Sequence, residues 1–414
     1  VQTCALPISV PPASPDLADL PVPSLAELGL VADAKPIPPG GERAALERLE
    51  QFCSGSAART YYWEISYPAA RVTTGLSPYL KFGVITPRQC LQRLAQLGFS
   101  RSKDPRSRSA VALASRLRWG CAIHQRFRYL PQLELHSLWS VFDPQDTALS
   151  AEQEALYGAW QEGRTGFPIV DAAARCLQAE GGWLELNFRS RAISASFLAN
   201  LCGIDWRYGA LHYMRHLIDG DCPIDHYQWA MQAGVTYHGA RAWTRIYHPG
   251  QVAVNRCDPH GLFIRRWLPE LEPLTNDQLG EPPAMADYPR PMLDYDSARR
   301  LRIETLSQQR QQITSLRQAM APLPAELKPF AAERISGAIW SWATASQPAL
   351  QPAPVQLDGL DASGWSDLMS WFSMSSRTTG TGGTGSGTTP SQRPARRRRA
   401  AEAPGQLSLD LLVG

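Results

Sequence analysis

The sequence predicts an all-α protein, and three observations support that prediction. Apolar residues recur at helical spacing between about residue 41 and residue 310. Alternating polar and apolar runs bounded by turn residues, which would predict strands, are hard to find in the same region. Of the 414 residues, 44% are hydrophobic, which is enough apolar material for one large core or two modest ones. We therefore expect a multi-helix domain followed by a tail that does not pack.

Composition divides the chain into four regions. Residues 1–40 are rich in proline and predict an extended linker or a truncation remnant. Residues 41–310 predict the helical domain, and residues 311–372 predict a helical C-terminal extension. Residues 373–414 are dominated by Thr, Gly, Ser, Pro and Arg, which cannot bury enough apolar area to order themselves. This last region is predicted to be a disordered basic tail.

Helical periodicity also places the individual elements in chain order. The first apolar repeat runs from Ala44 to Leu49, directly after the linker. The further helical stretches are expected at about 77–98, 108–128, 151–179, 187–202, 206–218 and 224–233.

Charge and cysteine usage exclude several classes of protein. The 41 Lys and Arg against 38 Asp and Glu leave a net charge of +3, so a hold on nucleic acid needs a local basic patch. The eight cysteines have no Cys-x-x-Cys spacing, which argues against a disulfide framework, a zinc site or an iron–sulfur cluster and favours a reducing cytoplasm. No apolar run reaches the ~18 residues that a membrane helix needs.

The segment from Arg71 to Gly83 carries the first candidate site. Ser77 followed by Pro78 predicts an N-cap with proline at the first helical position. Hydroxyl groups and free backbone N–H groups would then converge where an anion such as a diphosphate could bind. A well-capped helix without a ligand would give the same pattern, so both interpretations stay open on this segment alone.

Six further segments, between residues 160 and 271, occur in a characteristic order. With the 71–83 segment, they resemble the FAD-binding helical domain of the photolyase/cryptochrome family over roughly residues 60–300. Several independent motifs in register are far more specific than any one of them. The segments are 160–171 (WQEGRTGFPIVD), 187–191 (NFRSR), 204–207 (IDWR), 216–221 (HLIDGD), 245–249 (RIYHP) and 258–271 (DPHGLFIRRWLPEL).

The resemblance implies a bound FAD in a U-shaped conformation. It implies that Arg191 and Asp219 lie beside the isoalloxazine ring and that Asp221 lies near the adenine. A buried Arg–Asp pair needs further hydrogen bonds, which a flavin edge offers, although a pair that only ties two helices together is the alternative. The residues that the resemblance assigns to the diphosphate side are Tyr61, Thr73, Thr74, Leu76 and Ser77, and Arg126 would contact the cofactor or DNA unless it is a solvated surface residue.

Asp225 takes the position that faces flavin N5 in the family. Repair enzymes of the family usually have Asn there, whereas plant cryptochromes have Asp. A carboxyl group whose pKa is raised by burial can donate a proton to N5, and Asn cannot. Asp225 therefore favours signalling chemistry, unless the helix is shifted and Asp225 caps its first turn after Pro223.

Trp229 and Trp206 match the proximal and middle tryptophans of the family's electron-transfer chain. The position of the distal tryptophan is Ser150 here, and the sequence leaves open whether Trp139 or Tyr157 replaces it. Ordinary core packing is the alternative for both tryptophans.

The predicted substrate pocket departs from the family pattern. The Glu that contacts the dimer bases in repair enzymes is absent, and Gly120 and Cys121 stand in its place. The second tryptophan after the proximal one is Met231, which we assign with Arg189 to DNA binding. A bacterial branch of the family has similar motifs.

No metal is expected in this chain. His212 and His216 lie one helical turn apart, but no Glu sits between them and no third ligand is evident in the sequence. His216 is expected to pack beside the Asp219 motif.

The end of the tail carries a separate motif. Gln406, Leu407, Leu409 and Leu411 resemble the short peptide by which bacterial repair and replication proteins bind the polymerase sliding clamp, although a chance match is the alternative. The arginine run at 396–399 would add salt-sensitive affinity for DNA, or would only keep the tail soluble.

The resemblance predicts a light-driven lyase that repairs pyrimidine dimers in DNA, using reduced FAD as the electron donor. A blue-light photoreceptor that photoreduces FAD without repair is the alternative, and a binding module without flavin is a third. Asp225 and the absent Glu favour the photoreceptor, whereas the clamp-like peptide and the bacterial motifs favour the lyase. Full-length family members carry an α/β antenna domain before the helical domain, and this chain gives no support for an antenna pigment.

Overall fold

The computed structural model describes residues 23–31, 34–98, 104–129, 131–137, 140–144, 148–236 and 246–320, without the side chains at 126, 128, 129, 131, 132, 140 and 313–320. Over these ranges the chain is helical and contains no strand, which confirms the all-α prediction. The helices are α1 (Glu42–Ser54), α2 (Ala57–Glu64), α3 (Ser77–Lys81), α4 (Pro87–Ala95), α5 (Pro105–Tyr129), α6 (Ala151–Glu162), α7 (Pro168–Glu180), α8 (Phe188–Ser196), α9 (Trp206–His216), α10 (Cys222–Gln232), α11 (Gln251–Cys257), α12 (Leu262–Trp267) and α13 (Tyr295–Met320).

The chain divides into two units. The first ends at Pro36, and its described part contains a turn between Ser24 and Leu30. The second begins at Ile37 and contains all the helices named above. The boundary predicted near residue 310 falls inside α13. None of the described helices is long and apolar enough to cross a membrane.

Two predicted helical stretches are interrupted in the structure. The stretch expected at 77–98 forms α3 and α4, because Gly83 takes a positive φ of 68° and Thr86 caps α4 with its side chain. The stretch expected at 151–179 forms α6 and α7, because Gly163 ends α6 with a φ of 66°. Apolar periodicity continued through both breaks, and the local turn residues overrode it.

The second unit has two hydrophobic cores. A smaller core is formed among α1 to α5, and a larger core takes in α6 to α13. Buried residues of the smaller core include Leu49, Phe52, Tyr61, Leu76, Leu94 and Leu113. Buried residues of the larger core include Trp160, Ile169, Phe197, Trp229, Phe263 and Leu306.

Candidate functional site

Side-chain hydrogen bonds hold the Thr73 segment in place. Thr73 Oγ1 donates to the backbone carbonyl of Leu184 at 3.2 Å, and Thr74 Oγ1 accepts from the N–H of Leu76 at 3.3 Å. Leu76 is the N-cap of α3, and Ser77 is an exposed residue of its first turn. The predicted Ser77 cap is therefore wrong, because the Thr74 contact draws Leu76 into helical geometry and starts the helix one residue earlier. The half-buried threonine hydroxyls remain as candidate anion ligands.

The loop of residues 181–187 packs directly against this segment. Trp183 Nε1 donates to the carbonyl of Gly75 at 3.2 Å, and the guanidinium of Arg48 lies 4.7 Å from the centre of the Trp183 ring. Gly75 has a φ of 65°, and a Cβ there would lie 2.5 Å from Arg48 Nη1 and 2.9 Å from Leu184 Cδ2. Glycine is therefore needed at position 75 for both its conformation and its close contacts.

The same loop also holds Arg191. Arg191 Nε donates to the carbonyl of Leu186 at 2.8 Å, and its Nη2 donates to the carbonyl of Gly182 at 3.0 Å. The same Nη2 lies 3.5 Å from Asp219 Oδ1. Thr73 and the Arg191–Asp219 pair are thus both bound to one short loop, Thr73 at its middle residue Leu184 and Arg191 at two residues on either side of it. Two groups of residues that the sequence separates by more than a hundred positions meet at this place.

Two carboxylates on the Arg191 side have unsatisfied oxygen atoms. The side chains of Asp219 and Asp225 are 8% and 9% exposed, and Asp219 Oδ1 and Asp225 Oδ2 are buried without a hydrogen bond to any described residue. Their contacts are ion pairs at 3.5 Å, to Arg191 and to His226 Nδ1 respectively. Buried oxygen atoms of this kind are costly unless another group supplies a donor.

Charge coupling ties Asp225 to the same group of residues. Burial raises the pKa of Asp225 to about 6, although His226 and Arg191 lower it and Asp219 raises it further. Burial alone would lower the pKa of His226, but its pairing with Asp225 and its interaction with Cys222 raise it to about 9. His226 is therefore charged at neutral pH, and Asp225 titrates just below neutrality.

Asp221, and not Asp225, caps α10. Asp221 Oδ1 accepts from the N–H of Ile224 at 3.2 Å, and Oδ2 lies 3.0 Å from His124 Nε2. Asp225 is the fourth residue of the helix, and its own N–H donates to the Asp221 carbonyl at 2.7 Å. The capping alternative for Asp225 is therefore wrong, and its carboxyl is free for another role.

Trp229 lies in an aromatic cluster of the larger core. Its ring meets Tyr213 at 5.1 Å and Trp160 at 6.0 Å between centroids, both edge-on. A Cβ on Gly209 of α9 would lie 2.2 Å from Trp229 Cη2. Close packing of α9 on α10 therefore fixes the position of this indole.

Trp206 lies in a different environment. Its Nε1 donates to Ser137 Oγ at 2.9 Å, and its ring meets the His226 ring edge-on at 5.8 Å. Among the described rings, Trp206 and Trp229 make no direct contact with each other. Ser150, at the predicted position of a distal tryptophan, is the N-cap of α6 and accepts from the Gln153 N–H at 3.2 Å.

Two predicted binding residues lie in the hydrophobic cores. Tyr61 is 3% exposed and meets Phe52 edge-on at 5.4 Å, and burial raises its pKa. Met231 is 7% exposed and belongs to the larger core. Their contacts with the cofactor and with DNA stay predictions.

Arg189 is partly buried against aromatic rings. Its Nη1 donates to the Tyr247 hydroxyl at 3.3 Å, and its guanidinium lies 4.9 Å from the centre of the Phe188 ring. Its contact with DNA stays a prediction. The Arg126 side chain, Trp139 and the peptide of Gln406, Leu407, Leu409 and Leu411 lie outside the described residues.

Glu185 is an important residue of the 181–187 loop that the sequence did not reveal. Its side chain is fully buried and forms ion pairs with Arg71 and Arg266, and it accepts from Trp267 Nε1 at 3.2 Å. Arg71 and Leu184 are the described non-glycine residues with positive φ, at 49° and 69°. Glu185 therefore clamps a loop and a segment that both have costly backbone conformations. A lone Glu between two leucines gave no signal of this role.

One group of potential metal ligands is present in the described part of the chain. Single ligand atoms of Cys176, Glu180 and Glu185 lie within 4.8 Å of one another. Burial raises the pKa of the Cys176 thiol well above its usual range, and Glu185 is already bound by two guanidinium groups. The cluster is therefore better explained as packing around the clamp.

The comparisons with known proteins agree with this arrangement. Residues 113–308 match a family model described as the FAD binding domain of DNA photolyase. The chain is 35% identical over 281 residues to the deoxyribodipyrimidine photo-lyase of Escherichia coli, a match that covers 65% of this chain and 56% of the relative. The chain thus spans about half the length of the curated relatives it matches.

Solved structures give the same result. A bacterial class III photolyase from Agrobacterium tumefaciens aligns with a TM-score of 0.57 and 28% identity, covering 66% of this chain and 56% of that one. A cryptochrome from Synechocystis aligns with a TM-score of 0.58 and 25% identity, covering 69% of this chain and 61% of that one. FAD is accordingly the cofactor of this helical domain. The helical domain of this chain thus matches the FAD-binding domain of the photolyase/cryptochrome family.

Proposed function

We propose that this protein is a light-driven lyase that splits pyrimidine dimers in DNA with FAD as its cofactor. The observation that carries the proposal is the 181–187 loop, whose backbone carbonyls bind both Thr73 and the Arg191 of the Arg191–Asp219 pair. The relatives named as photo-lyases supply the reaction class.

The residues fit an FAD molecule by their chemistry. The hydroxyls of Thr73 and Thr74 would hold the diphosphate, and Arg191 with Asp219 would hold the polar edge of the isoalloxazine. Asp219 Oδ1 and Asp225 Oδ2 are buried acceptors that lack a hydrogen bond to a described residue, and flavin ring N–H groups would satisfy them. The bound cofactor would supply light-driven transfer of one electron to a dimer and would take it back after the dimer splits.

The protein's own part is to bind, orient and protonate. Arg191 would orient the ring through its two carbonyl contacts, and Asp225 would exchange a proton near N5, drawing on the neighbouring His226. Arg189 would contact a DNA phosphate beside a flipped dimer, and flipping favours a lesion because its bases are already weakly stacked.

The test begins with the flavin content of the purified chain. The proposal predicts an oxidised-flavin absorption spectrum and loss of dimers from single- and double-stranded DNA in blue light but not in the dark. Flavin with photoreduction and no dimer loss would point to a photoreceptor instead. A chain that binds no flavin would contradict both functions.

A pair of variants links the assay to the site. Asp219→Asn keeps the shape of the side chain but removes its charge, so we expect loss of bound flavin. Asp205→Asn is the matched control, since Asp205 forms an Arg pair with Arg207 at 2.8 Å on α9. Flavin retained in Asp219→Asn at the level of the control would argue against the proposed placement.

Two partner predictions stay part of the proposal. We propose damaged DNA as the substrate and the bacterial sliding clamp as a partner of the peptide from Gln406 to Leu411. A cytoplasmic location is the setting that we propose for both. Deleting the peptide should abolish binding to the purified clamp and leave dimer repair on short DNA unchanged.

A further inference from the structure

A series of aromatic ring contacts, which we call the stack although its first contact is edge-on, leads away from Trp229. Trp160 meets Trp229 at 6.0 Å, and Tyr157 is stacked on Trp160 at 5.9 Å with the ring planes 14° apart. Tyr157 is half-buried, whereas Trp160 is 1% exposed. The stack therefore joins the buried indole to the surface of α6 in two contacts.

The imidazoles beside the two neighbouring tryptophans have different partners. Trp206 lies against His226, whose pairing with Asp225 keeps the imidazole charged, and a positive neighbour opposes the loss of an electron from Trp206. Trp160 lies 5.1 Å from the His212 ring, and Gln161 Nε2 lies 3.1 Å from His212 Nδ1.

The end of the stack can lose a proton to water. The Tyr157 hydroxyl donates to the carbonyl of Tyr208 at 3.1 Å at the half-exposed edge of α6 and α9. Tyr213 also touches Trp229 and Trp160, but it is 2% exposed and burial raises its pKa to about 12. Burial raises the pKa of Tyr157 as well, but the Tyr157 side chain is half-exposed, whereas the Tyr213 hydroxyl is buried away from water, so Tyr213 is not a terminus.

We propose that Trp160 and Tyr157 are the route by which electrons reach Trp229 from the surface, in place of a distal tryptophan next to Trp206. The inference rests on the proposed flavin site. Trp229 loses one electron to the photoexcited flavin, Trp160 refills Trp229, and Tyr157 refills Trp160. Tyr157 releases its hydroxyl proton to water and becomes a neutral radical. A thiol in solution then returns one hydrogen atom to Tyr157 and is oxidised to a thiyl radical that dimerises to disulfide.

The test follows photoreduction in the FAD-loaded full chain. Blue light with a thiol gives the rate at which oxidised flavin absorption disappears, and a sample without thiol gives the tyrosyl radical signal in electron paramagnetic resonance. Tyr157→Phe removes one hydroxyl from a half-buried site, so we expect a folded protein with normal flavin content. The proposal predicts loss of the tyrosyl signal and a several-fold lower rate.

Three further variants decide between the routes. Trp160→Phe should slow photoreduction like Tyr157→Phe, whereas Trp206→Phe should keep both the rate and the radical. Tyr213→Phe is the matched control, since it makes the same change on a buried ring of the same cluster, and it should keep both. If Trp160→Phe fails to fold, Tyr157→Phe still distinguishes the route through Trp160 and Tyr157 from the route through Trp206.

Two results would overturn the route without affecting the flavin site. One is an unchanged rate and radical signal in Tyr157→Phe together with their loss in Trp206→Phe. The other is a parent protein that binds flavin but gives no photoreduction. A parent protein without flavin would instead contradict the proposed function itself.

Discussion

The 181–187 loop has two sets of partners, which we call the Thr73 end and the Arg191 end of the site, and it holds them by different physical means. At the Thr73 end, the hydroxyl of Thr73 and the indole of Trp183 donate to backbone carbonyls, so these hydrogen bonds join neutral groups. At the Arg191 end, a guanidinium and two carboxylates lie close together with a charged His226 behind them. Cofactor binding at the Thr73 end should therefore not depend on pH, whereas the properties of the Arg191 end should change with pH. We expect the Thr73 end to contribute affinity for the cofactor and the Arg191 end to control the chemistry of the cofactor.

Removing the clamp that joins the two ends should have the largest effect. In Glu185→Gln, Arg71 and Arg266 would face an uncharged amide, which should lower the free energy of unfolding by ~3 kcal/mol. This loss is at the low end of the range for breaking a buried ion pair, because solvent screens both arginines, which are about half exposed. Chemical denaturation measures the change.

The control for the clamp is a surface pair. Glu162→Gln removes the partner of Arg164, and both side chains of that pair are more than half exposed. This variant should lower the free energy of unfolding by no more than ~1 kcal/mol. Equal costs for the two variants would mean that Glu185 is not a clamp.

The Arg191 end should show the pH dependence. The folded-state pKa of His226 is raised from 6.5 to about 9, so its pairing stabilises the fold fully below pH 6.5 and this contribution is lost as the pH rises towards 9. The free energy of unfolding should fall by ~3 kcal/mol across that window. Asp225→Asn removes the partner and should flatten the curve, and an unchanged curve in that variant would contradict the pairing.

The raised pKa of Asp225 acts in a lower window. Its folded-state pKa of about 6 exceeds the ordinary 3.8, so the corresponding stability is present below pH 3.8 and is lost as the pH rises to about 6. Asp225→Asn should also remove this decrease in the free energy of unfolding between pH 3.8 and about 6, which chemical denaturation at several pH values would measure.

Packing at Trp229 should give a smaller effect. Gly209→Ala would place a methyl group 2.2 Å from Trp229 Cη2, which should destabilise the fold by ~1–2 kcal/mol after the gain in helix propensity. Gly158→Ala is the matched control on α6, where a Cβ meets nothing within 4 Å. The control should stabilise the fold by up to ~1 kcal/mol, and a destabilising control would contradict the packing argument.

The Thr73 end should give the smallest effect. Thr73→Val removes one neutral hydrogen bond and a candidate ligand, so FAD affinity should fall by ~1 kcal/mol, which is about fivefold. The loss should be equal at pH 6 and pH 8, in contrast to variants at Asp225. A pH-dependent loss would mean that the two ends are not separate.

The periodicity of apolar residues predicted the helical class. The family resemblance implied that Thr73 and Arg191 share a cofactor site, and in the structure both residues bind backbone carbonyls of the 181–187 loop. The sequence-based prediction failed at Ser77, where a hydroxyl one turn away, on Thr74, decided the start of α3. It also failed where Gly83 and Gly163 interrupt helices, since apolar spacing continued through both positions.

Contacts between distant segments could not be predicted from one sequence. Glu185 draws its partners from Arg71 and Arg266, which lie 114 and 81 positions away. The Tyr157–Trp160 stack is local, but its contact with Trp229 depends on how α6 packs against α10. The family motifs indicate roles only for the positions that they contain, so they did not predict the ion pairs of Glu185 or the contact between Trp160 and Trp229.

The most direct test of the central claim is a titration of the flavin-free chain with FAD, followed by quenching of flavin fluorescence. We expect saturation at one FAD per chain and weaker binding in both Thr73→Val and Asp219→Asn. Saturable binding that neither variant weakens would place the cofactor elsewhere, and an absence of binding by the parent chain would rule out the proposed cofactor site.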